Sequence, residues 1–314
     1  MKIKIKLDAS AMVKSACMLR LKRLVIDGYS GASYNDIQYG SAYHEFVKQM
    51  YLTKANFAIA IEKALEILNK PCIIRKKHLT DKHLTKTCLD YWQYSKSNDN
   101  YEIYSLDGKP MVEIYFENKF FEDDKYEVYL VGTIDSFGKI DKGIYAIRDF
   151  KTHSLFSVSK SGSSYVEQEM QTFLNSFELS LQLRFYLLNL KLLSKAYPDT
   201  EFSKIVSHSV GMFIDGVFLS SKEPTQFRRS TIWIPNQDEI CEIEFLLNYQ
   251  IKRFLCYLDR ENFNLRDGII TGACTDGKFP CNYYEVCAAK DQAKDYLLKN
   301  NFVKKPYEPQ EFGK

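Results

Sequence analysis

Residues 126–154 contain two apolar blocks joined by a short polar link, and no other stretch of the sequence constrains the fold as strongly. The blocks, 126–137 and 143–152, are rich in Tyr, Val and Ile, and the link between them reads GKIDKG. Short runs of β-branched and aromatic residues on either side of a glycine-containing link are typical of paired strands. The sequence therefore predicts an antiparallel β-hairpin here.

Three charged residues of this hairpin are expected to lie on one face. Asp149 and Lys151 are two positions apart and so share one face of their strand. With the turn centred near residue 141, Asp135 is expected opposite Ile147 and diagonal to Asp149, within side-chain reach. Carboxylates are good ligands for Mg²⁺ or Mn²⁺, and such a bound cation activates water. A nearby lysine can orient or deprotonate that water, or neutralise the negative charge of the transition state. An Asp-x-Lys tripeptide is also common on solvent-facing strands, so this trio needs support from other residues.

The rest of the chain predicts helices before and after this hairpin. Apolar residues at helical spacing indicate a helix over 8–26, with Asp8 or Ser10 as its N-cap, and a second helix that begins at residue 41. Further helices are indicated over much of 57–93 and over 166–196 and 238–258. Further strands are expected over 101–121 and 231–234, and over 205–214 and 217–219 with a hairpin turn at Asp215-Gly216. We expect a mixed α/β fold, as one domain over residues 1–314 with a helical part at about 41–95 and a core at about 100–235.

Composition indicates an ordinary globular protein, with 45% hydrophobic and 26% charged residues. The net charge of +3 is too small to indicate nucleic-acid binding by itself. The opening MKIKIKLDAS alternates like a strand rather than a signal peptide, and no run has the roughly 18 apolar residues of a membrane span. We therefore expect a cytoplasmic protein, in which cysteines serve as buried thiols or metal ligands rather than in disulfides.

Four short motifs support the charged trio. They are GSAYH at 40–44, GTID at 132–135, DFKT at 149–152 and QLRFY at 182–186. In this order, and on these predicted elements, they resemble the PD-(D/E)XK nuclease superfamily in its RecB-like branch, which includes CRISPR-associated and phage exonucleases. The resemblance spans about residues 40 to 190. It implies a restriction-endonuclease-like fold, in which a mixed central sheet is flanked by helices and carries a helical N-terminal insertion and a cysteine-bearing C-terminal tail.

The resemblance also assigns a metal site. It implies that His44, Asp135 and Asp149 bind Mg²⁺ or Mn²⁺, together with the backbone carbonyl of Phe150. Lys151 would be the catalytic lysine. Taken alone, a histidine such as His44 is more often a partly exposed side chain with an ordinary hydrogen bond than a metal ligand.

DNA contacts are expected beside that site. The resemblance implies that Gln182 and Tyr186, four apart on one helix face, contact the active site and the DNA backbone. Basic side chains that bind phosphate and aromatic rings that stack on bases would extend this surface. The candidates are Arg20, Arg23 and Arg184 for phosphate and Tyr43 for stacking. Surface charge and core aromatic packing are the ordinary alternative for each of these residues.

The cysteines suggest a second metal site. Many RecB-like nucleases of this branch hold a [4Fe–4S] cluster between one upstream cysteine and three near the C-terminus. Here the corresponding residues are Cys17, Cys274, Cys281 and Cys287. The last spacing, Cys-x₅-Cys, matches that arrangement, whereas the six residues after Cys274 depart from the commoner Cys-x₂-Cys. Such a cluster would link the first helix to the C-terminal tail. The alternatives are zinc bound at the same four positions and cysteines that bind no metal. The other cysteines (Cys72, Cys88, Cys241 and Cys256) are expected to be buried small residues.

The sequence thus predicts a metal-dependent deoxyribonuclease, an exonuclease or end-trimming nuclease rather than an endonuclease. Its expected substrate is DNA that is single-stranded or has free ends, in recombination, repair, phage DNA metabolism or CRISPR adaptation. The chain has no Gly-x₄-Gly-Lys-[Ser/Thr] motif, so any unwinding would need a helicase or a recombination or adaptation partner. Two alternatives remain: a catalytically silent DNA-binding or assembly subunit, which the intact charged trio argues against, and a structure-specific or RNA-directed nuclease.

Overall fold

A computed structural model of the protein describes residues 2–30, 35–54, 56–71, 79–140, 143–155, 163–177, 180–220, 224–259, 274, 281–305 and 307. The strands of these residues are β1 (Ile3–Leu7), β2 (Tyr29–Ser30), β3 (Glu102–Ile103), β4 (Ser105–Leu106), β5 (Lys109–Pro110), β6 (Val112–Glu122), β7 (Tyr126–Ile140), β8 (Ile144–Ser154), β9 (Gly211–Leu219), β10 (Gln226–Arg229) and β11 (Val303–Lys304). The helices are α1 (Ala9–Val13), α2 (Met18–Val25), α3 (Asn35–Leu52), α4 (Phe57–Leu68), α5 (Asp81–Asn98), α6 (Ser163–Asn175), α7 (Leu181–Ser194), α8 (Glu201–His208), α9 (Gln237–Leu258), α10 (Tyr284–Ala288) and α11 (Asp291–Asn301).

A central mixed sheet organises the molecule. Along its main path the order is β1-β7-β8-β9-β10, and β3 and β6 also pair with β7. β1 and β9 run parallel to their neighbours β7 and β8, whereas the other pairs are antiparallel. The predicted mixed α/β class is confirmed, with helices flanking a mixed sheet. β1 belongs to this sheet, although the predicted core at 100–235 leaves it out.

The sheet forks beside β7. Ser136 pairs with Val112 of β6 and also with Arg148 of β8, so these two strands lie on opposite edges of β7. β1 pairs with residues Tyr126 to Leu130 of β7, and β6 pairs with residues of the same stretch from the other side. β1 therefore lies on the same edge of β7 as β8 does. Between these two pairings, residues 131–135 of β7 have neither β1 nor β8 beside them in the described register. The gap leaves an opening in the sheet that ends at Asp135.

Two hydrophobic cores cover the faces of the sheet. One holds Ile147 and Ile214 together with buried residues of α1, α2, α7 and α9. The other holds Phe150 and Val217 together with buried residues of α3, α4 and α5. Because successive strand residues point to opposite faces, β8 contributes to both cores. The fork is therefore enclosed by α7 on one side and α3 on the other.

Two of the predicted helices are interrupted. The helix expected over 8–26 begins after Asp8, whose carboxylate caps α1, but Cys17 adopts an extended backbone (φ −133°, ψ 110°) between a 3₁₀ turn and α2. The helix expected over 166–196 is two helices, and Ser180 caps the second, α7. Side-chain caps stop a helix at positions that apolar spacing alone does not reveal.

The hairpin expected at Asp215-Gly216 is wrong. β9 passes straight through both residues, and 201–208 is the helix α8. Tertiary contacts hold Asp215 in the strand, since its carboxylate accepts hydrogen bonds from Arg229 at 2.8 and 2.9 Å. Gly216 lies so close to the Phe218 ring that a Cβ would be 2.7 Å from it, which explains a glycine inside a strand.

Among the described helices, none combines the length and the apolar character that crossing a membrane requires. The cytoplasmic location stays a prediction.

Candidate active site

A cleft of about 400 Å³ lies at the fork of the sheet. The predicted metal-site residues and the Gln–Tyr pair of α7 all line it. These residues are His44, Asp135, Asp149, Phe150, Lys151, Gln182 and Tyr186. They come from α3, β7, β8 and α7, so the four sequence motifs meet at one place in the fold.

The hairpin register differs from the predicted one. Ser136 pairs with Arg148 and Phe137 with Ile147, whereas the prediction placed Asp135 opposite Ile147. Asp135 and Asp149 are therefore the next residues of β7 and β8 beyond the last described pair of these strands. Both carboxylates line the cleft at the opening of the sheet.

Asp149 and Lys151 form a buried ion pair. Lys151 Nζ lies 2.6 Å from Asp149 Oδ2, and Asp149 is 1% exposed. Burial raises the pKa of Asp149 to about 6, against the lowering effect of the Lys151 ammonium. Desolvation lowers the pKa of Lys151, but the carboxylates of Asp149 and Asp135 outweigh it and raise that pKa above its ordinary value. Lys151 is therefore an ammonium that neutralises Asp149.

His44 and Asp135 form a second charged pair. His44 Nδ1 lies 3.3 Å from Asp135 Oδ2, which also accepts a 2.7 Å hydrogen bond from the backbone N–H of Phe150. Burial alone would lower the pKa of His44, but the Asp135 carboxylate raises it to about 9. Burial would raise the pKa of Asp135, and His44 outweighs that effect and lowers it. Both groups are charged at neutral pH.

Gly40 allows α3 to approach the site closely. The helix begins at Asn35, so Gly40 lies inside it and does not precede it as the sequence predicts. A Cβ on Gly40 would lie 3.3 Å from Thr152 Oγ1 on β8. A glycine weakens a helix interior by about 1 kcal/mol. Here that cost is offset by bringing His44, one turn further along α3, to the fork.

Glu113 is a site residue that sequence reasoning missed. Its Oε1 lies 3.9 Å from His44 Nδ1, and its side chain is 7% exposed. Within the described residues, one group of three or more His, Cys, Asp or Glu has all its ligand atoms within 4.8 Å: His44, Glu113 and Asp135. Burial and the Asp135 charge raise the pKa of Glu113 to about 8. A glutamate in a strand carries no motif, and only the β6–β7 register, with Val112 opposite Ser136 and Ile114 opposite Ile134, places it beside Asp135.

The donor set fits a divalent cation. Asp149 Oδ1 is buried and has no hydrogen-bond partner among the described residues. Phe150 directs its N–H toward Asp135, and the C=O of a strand residue points to the same side as its N–H. Carboxylate and carbonyl oxygens at one point are the ligands that Mg²⁺ and Mn²⁺ prefer. That these residues hold such a cation stays a prediction.

Gln182 and Tyr186 form the α7 wall of the cleft. Gln182 Nε2 donates a 2.7 Å hydrogen bond to Tyr186 Oη. Burial raises the pKa of Tyr186 well above its ordinary value, so its hydroxyl stays protonated. The pair therefore presents neutral hydrogen-bonding groups opposite the charged residues of β7 and β8.

Two of the predicted DNA contacts are wrong, because their side chains are buried. Tyr43 is 0% exposed and packs edge-on against Tyr91 and Phe150, so its ring cannot stack on a base. Arg23 is 8% exposed and donates a 3.2 Å hydrogen bond to Cys287 Sγ, which removes it from any phosphate.

Arg20 and Arg184 keep partly exposed side chains away from the cleft. Neither is among the residues that line the cleft, and the Arg184 guanidinium lies 4.2 Å from the centre of the Trp233 ring. Their contacts with DNA stay a prediction.

The four predicted cluster cysteines come together away from the cleft. Cys17 packs with Cys287, and the N–H of Cys281 donates a 2.9 Å hydrogen bond to the carbonyl of Cys274. The pKa of Cys274 is raised by burial and by the nearby sulfurs of Cys17, Cys281 and Cys287. The start of α2 and the tail therefore meet at these four side chains.

The remaining cysteines divide into two kinds. Cys88 is buried, as predicted, but Cys241 and Cys256 are exposed on α9. That part of the prediction is wrong, because helical periodicity does not specify which face of a long helix is covered. Cys72 lies outside the described residues.

The pH dependence of stability follows from the raised pKa values of His44 and Glu113. Without a bound metal, the folded state binds more protons than the unfolded state from about pH 6.5 up to the folded-state pKa values of these two residues. The free energy of unfolding therefore falls as pH rises through this range. The folded pKa is about 9 for His44 and about 8 for Glu113, so the loss should continue to about pH 9. Urea titrations in EDTA at pH 6 and pH 9 measure it.

A matched pair of variants controls this pH prediction. Glu113→Gln should reduce the loss between pH 6 and pH 9, whereas Glu117→Gln, an exposed change on the same strand, should leave it unchanged. Equal or greater stability of the wild-type protein at pH 9 would contradict the predicted sign.

Comparisons with known proteins add a distant structural likeness. No family model matches the chain, and no curated protein matches it. A crystal structure of SSO0001 is similar at a TM-score of 0.26 and 12% sequence identity, covering 83% of this chain and 93% of that chain. At that TM-score the likeness carries no inference about this protein.

Proposed function

We propose that the protein is a metal-dependent DNA nuclease of the PD-(D/E)XK superfamily, RecB-like branch, with the restriction-endonuclease-like form of the mixed sheet. The observation that carries the proposal is the meeting of Asp135, Asp149 and Lys151 at the fork of the sheet, where Asp149 Oδ1 has no protein partner among the described residues. The chain is one nuclease domain, with its core at about 100–235 joined by β1, a helical part at about 41–95 and a cysteine-bearing tail.

The metal centre would be held by side chains of two strands. Asp135, Asp149 and the carbonyl of Phe150 supply oxygen ligands for Mg²⁺ or Mn²⁺, with His44 beside them. When bound, such a cation lowers the pKa of a water ligand and stabilises negative charge that develops on the phosphate. Asp149 Oδ1 is available for this role without breaking any hydrogen bond within the described residues.

Lys151 carries the proton and charge chemistry in this proposal. Its ammonium lies 2.6 Å from Asp149 Oδ2. If Asp149 held a cation, Lys151 would be free to face the substrate. There its ammonium would orient the attacking water or neutralise the negative charge that develops on the phosphate.

Gln182 and Tyr186 position the DNA strand. Their side chains form a neutral hydrogen-bonding wall across the cleft from the acidic residues. The Tyr186 hydroxyl and the Gln182 amide can donate to phosphate oxygens once the DNA displaces their mutual bond. A cleft of about 400 Å³ is of the size that takes one small ligand, and therefore about one nucleotide at a time.

The four cysteines offer a site for a [4Fe–4S] cluster. Cys17 packs against Cys287, and Cys274 lies near the sulfurs of Cys17, Cys281 and Cys287. Each thiolate would bind a different iron of such a cluster, and zinc in the same positions is the alternative. We propose that the cluster links α2 to the tail.

The proposed substrate and pathway rest on the resemblance to the same nuclease family. The proposed activity is exonucleolytic or end-trimming hydrolysis of DNA that is single-stranded or has free ends. It would act in recombination, repair, phage DNA metabolism or CRISPR adaptation, with a helicase or a recombination or adaptation protein supplying the ends.

A cleavage assay tests the proposed function. End-labelled single- and double-stranded DNA is incubated with Mg²⁺, with Mn²⁺ and with EDTA, using wild-type protein and Asp135→Asn. We expect metal-dependent products from the wild-type protein, and a reduction by about 10²-fold or more in the variant, because one ligand is lost. Asp124→Asn, on the exposed loop between β6 and β7, is the control and should cleave normally. DNA binding without cleavage in either metal would instead indicate a catalytically silent subunit.

A further inference from the structure

Helix α9 is apolar on two sides. Its inner side packs into the core through Ile240, Ile243, Leu247, Ile251, Phe254 and Leu255. On its outer side Phe245 is 68% exposed, Tyr249 is 56% exposed and Leu246 is 46% exposed. Single exposed apolar residues are ordinary, but three large ones within little more than one helical turn form a patch. Because the outer side of a surface helix is normally polar, this patch indicates a partner.

The patch belongs to a longer apolar stripe on α9. Two exposed cysteines lie at its ends, so this outer stripe consists of Cys241, Phe245, Leu246, Tyr249 and Cys256. At 3.6 residues per turn these positions project from one side of the helix. The midpoint of the stripe lies between residues 248 and 249.

The charges of α9 are divided between its two halves. Residues 237–244 include Asp238, Glu239, Glu242 and Glu244 and no basic residue, whereas residues 245–258 include Lys252 and Arg253 and no acidic residue. The helix dipole favours such a division only within the first and the last turn. Glu242 and Glu244 lie beyond the first turn, and both basic residues lie before the last, so the dipole does not account for them.

We propose that a second copy of this chain covers the outer stripe, with the two α9 helices antiparallel about a two-fold axis near residues 248–249. A two-fold pair brings the same surface of each copy together. In the antiparallel orientation the acidic half of each helix faces the basic half of the other, whereas a parallel orientation would place like charges together. The stripe then forms an apolar centre with a charged rim, as protein interfaces commonly have.

The two-fold axis determines which residues meet. An axis at the midpoint of the stripe places Phe245 opposite Lys252 of the partner subunit, and a lysine ammonium over an aromatic ring is a favourable contact. The same axis places Cys241 opposite Cys256 of the partner subunit. These pairings follow from the positions of the side chains along α9 and can be measured without DNA.

Sedimentation velocity of the full-length protein, over a range of concentrations and with its cysteine site in one defined state, tests the proposal. We expect the wild-type protein to form a dimer as its concentration rises. Phe245→Ala should weaken the association at least about tenfold, because a central aromatic side chain commonly carries much of the binding energy of an interface. Tyr296→Ala, on α11, removes an aromatic ring that is also 68% exposed, and it should leave the association unchanged.

Reversed charges test the orientation of the helices. Glu242→Lys and Lys252→Glu should each weaken the dimer, because like charges then face one another across the axis. An equal mixture of these two variants should form dimers again, since each reversed charge then meets an opposite one. Lys82→Glu, a reversal at an exposed position of α5, is the control and should not change the association.

A short bismaleimide reagent tests the register. Each of its two maleimides adds to one cysteine thiol, and mass spectrometry identifies the joined peptides. Within one chain Cys241 and Cys256 are about 22 Å apart along the helix, at about 1.5 Å per residue, so a short reagent joins them only between two copies. We expect this crosslink in the wild-type protein and its loss in Cys241→Ser. Crosslinks between two copies of Cys241 would contradict the antiparallel register.

Two other results would overturn the proposal. A protein that stays monomeric at every concentration would leave the outer stripe to a different protein partner. A dimer that both Phe245→Ala and the charge reversals leave intact would show that another surface holds the copies together. Circular dichroism verifies that each variant is folded, and Tyr249→Ala replaces Phe245→Ala if the latter is not. DNA cleavage by a monomer would contradict the dimer and leave the proposed nuclease function standing.

Discussion

Replacing Lys151 with alanine is expected to slow DNA hydrolysis by about 10²–10⁴-fold, the range for losing a proton-transfer or charge-stabilising group. Lys151 is the one lysine that lines the cleft in the described part of the chain. Divalent cations should bind at least as tightly as before, because the ammonium no longer competes for Asp149. Single-turnover cleavage rates, together with Mn²⁺ titration of the same preparation, measure both effects.

An exposed lysine is the control for this substitution. Lys119→Ala removes a surface lysine that pairs with Glu122, and it should leave the cleavage rate unchanged. Undiminished products from Lys151→Ala would remove the lysine from the mechanism. A lower rate that is restored by raising the metal concentration would assign Lys151 to cation binding instead.

Replacing Arg148 with methionine is expected to destabilise the protein by about 3–5 kcal/mol, the usual cost of removing one partner of a buried ion pair. Arg148 is 0% exposed, and its guanidinium lies 2.8 Å from Asp99 and 3.3 Å from Asp215. It also donates hydrogen bonds to Tyr91 at 2.7 Å and to Tyr51 at 3.1 Å. In the variant, the two largely buried carboxylates of Asp99 and Asp215 would share a single positively charged partner, the guanidinium of Arg229.

Denaturant unfolding measures this loss of stability. Arg228→Met, an exposed change whose pairing with Glu167 is 3.6 Å long, should cost less than about 1 kcal/mol. Equal stability of the two variants would show that the Arg148 network does not contribute to folding.

Local sequence identified most of the site. The hairpin and the charged trio were predicted from a few neighbouring residues, because strand alternation acts over short distances. The Gln–Tyr pair was predicted from the family resemblance, and helical spacing only placed the two residues on one face. The register was predicted incorrectly: Phe137, and not Asp135, lies opposite Ile147. The Asp215-Gly216 pair misled the prediction because contacts from Arg229 and Phe218 override a turn preference.

Burial could not be read from residue type. Tyr43 and Arg23 were predicted to meet DNA, yet both are packed inside the protein. A tyrosine or an arginine is equally suited to a binding surface and to a core with a polar partner. Whether such a side chain is covered depends on elements far away in sequence, such as α5 over Tyr43 and the tail over Arg23.

The sequence by itself determined which chemical groups the chain carries and the local spacing that puts Asp149 beside Lys151 and Gln182 beside Tyr186. Only the tertiary structure decided that Asp135 and Asp149 line one cleft, with Glu113 and His44 beside Asp135. The physical reason is that covalent geometry orders residues a few positions apart, whereas cross-strand register and packing join residues that are distant in the chain. The pairing of Asp149 with Lys151 on the hairpin is thus a property of local sequence, and the group of side chains around Asp135 is a property of the fold.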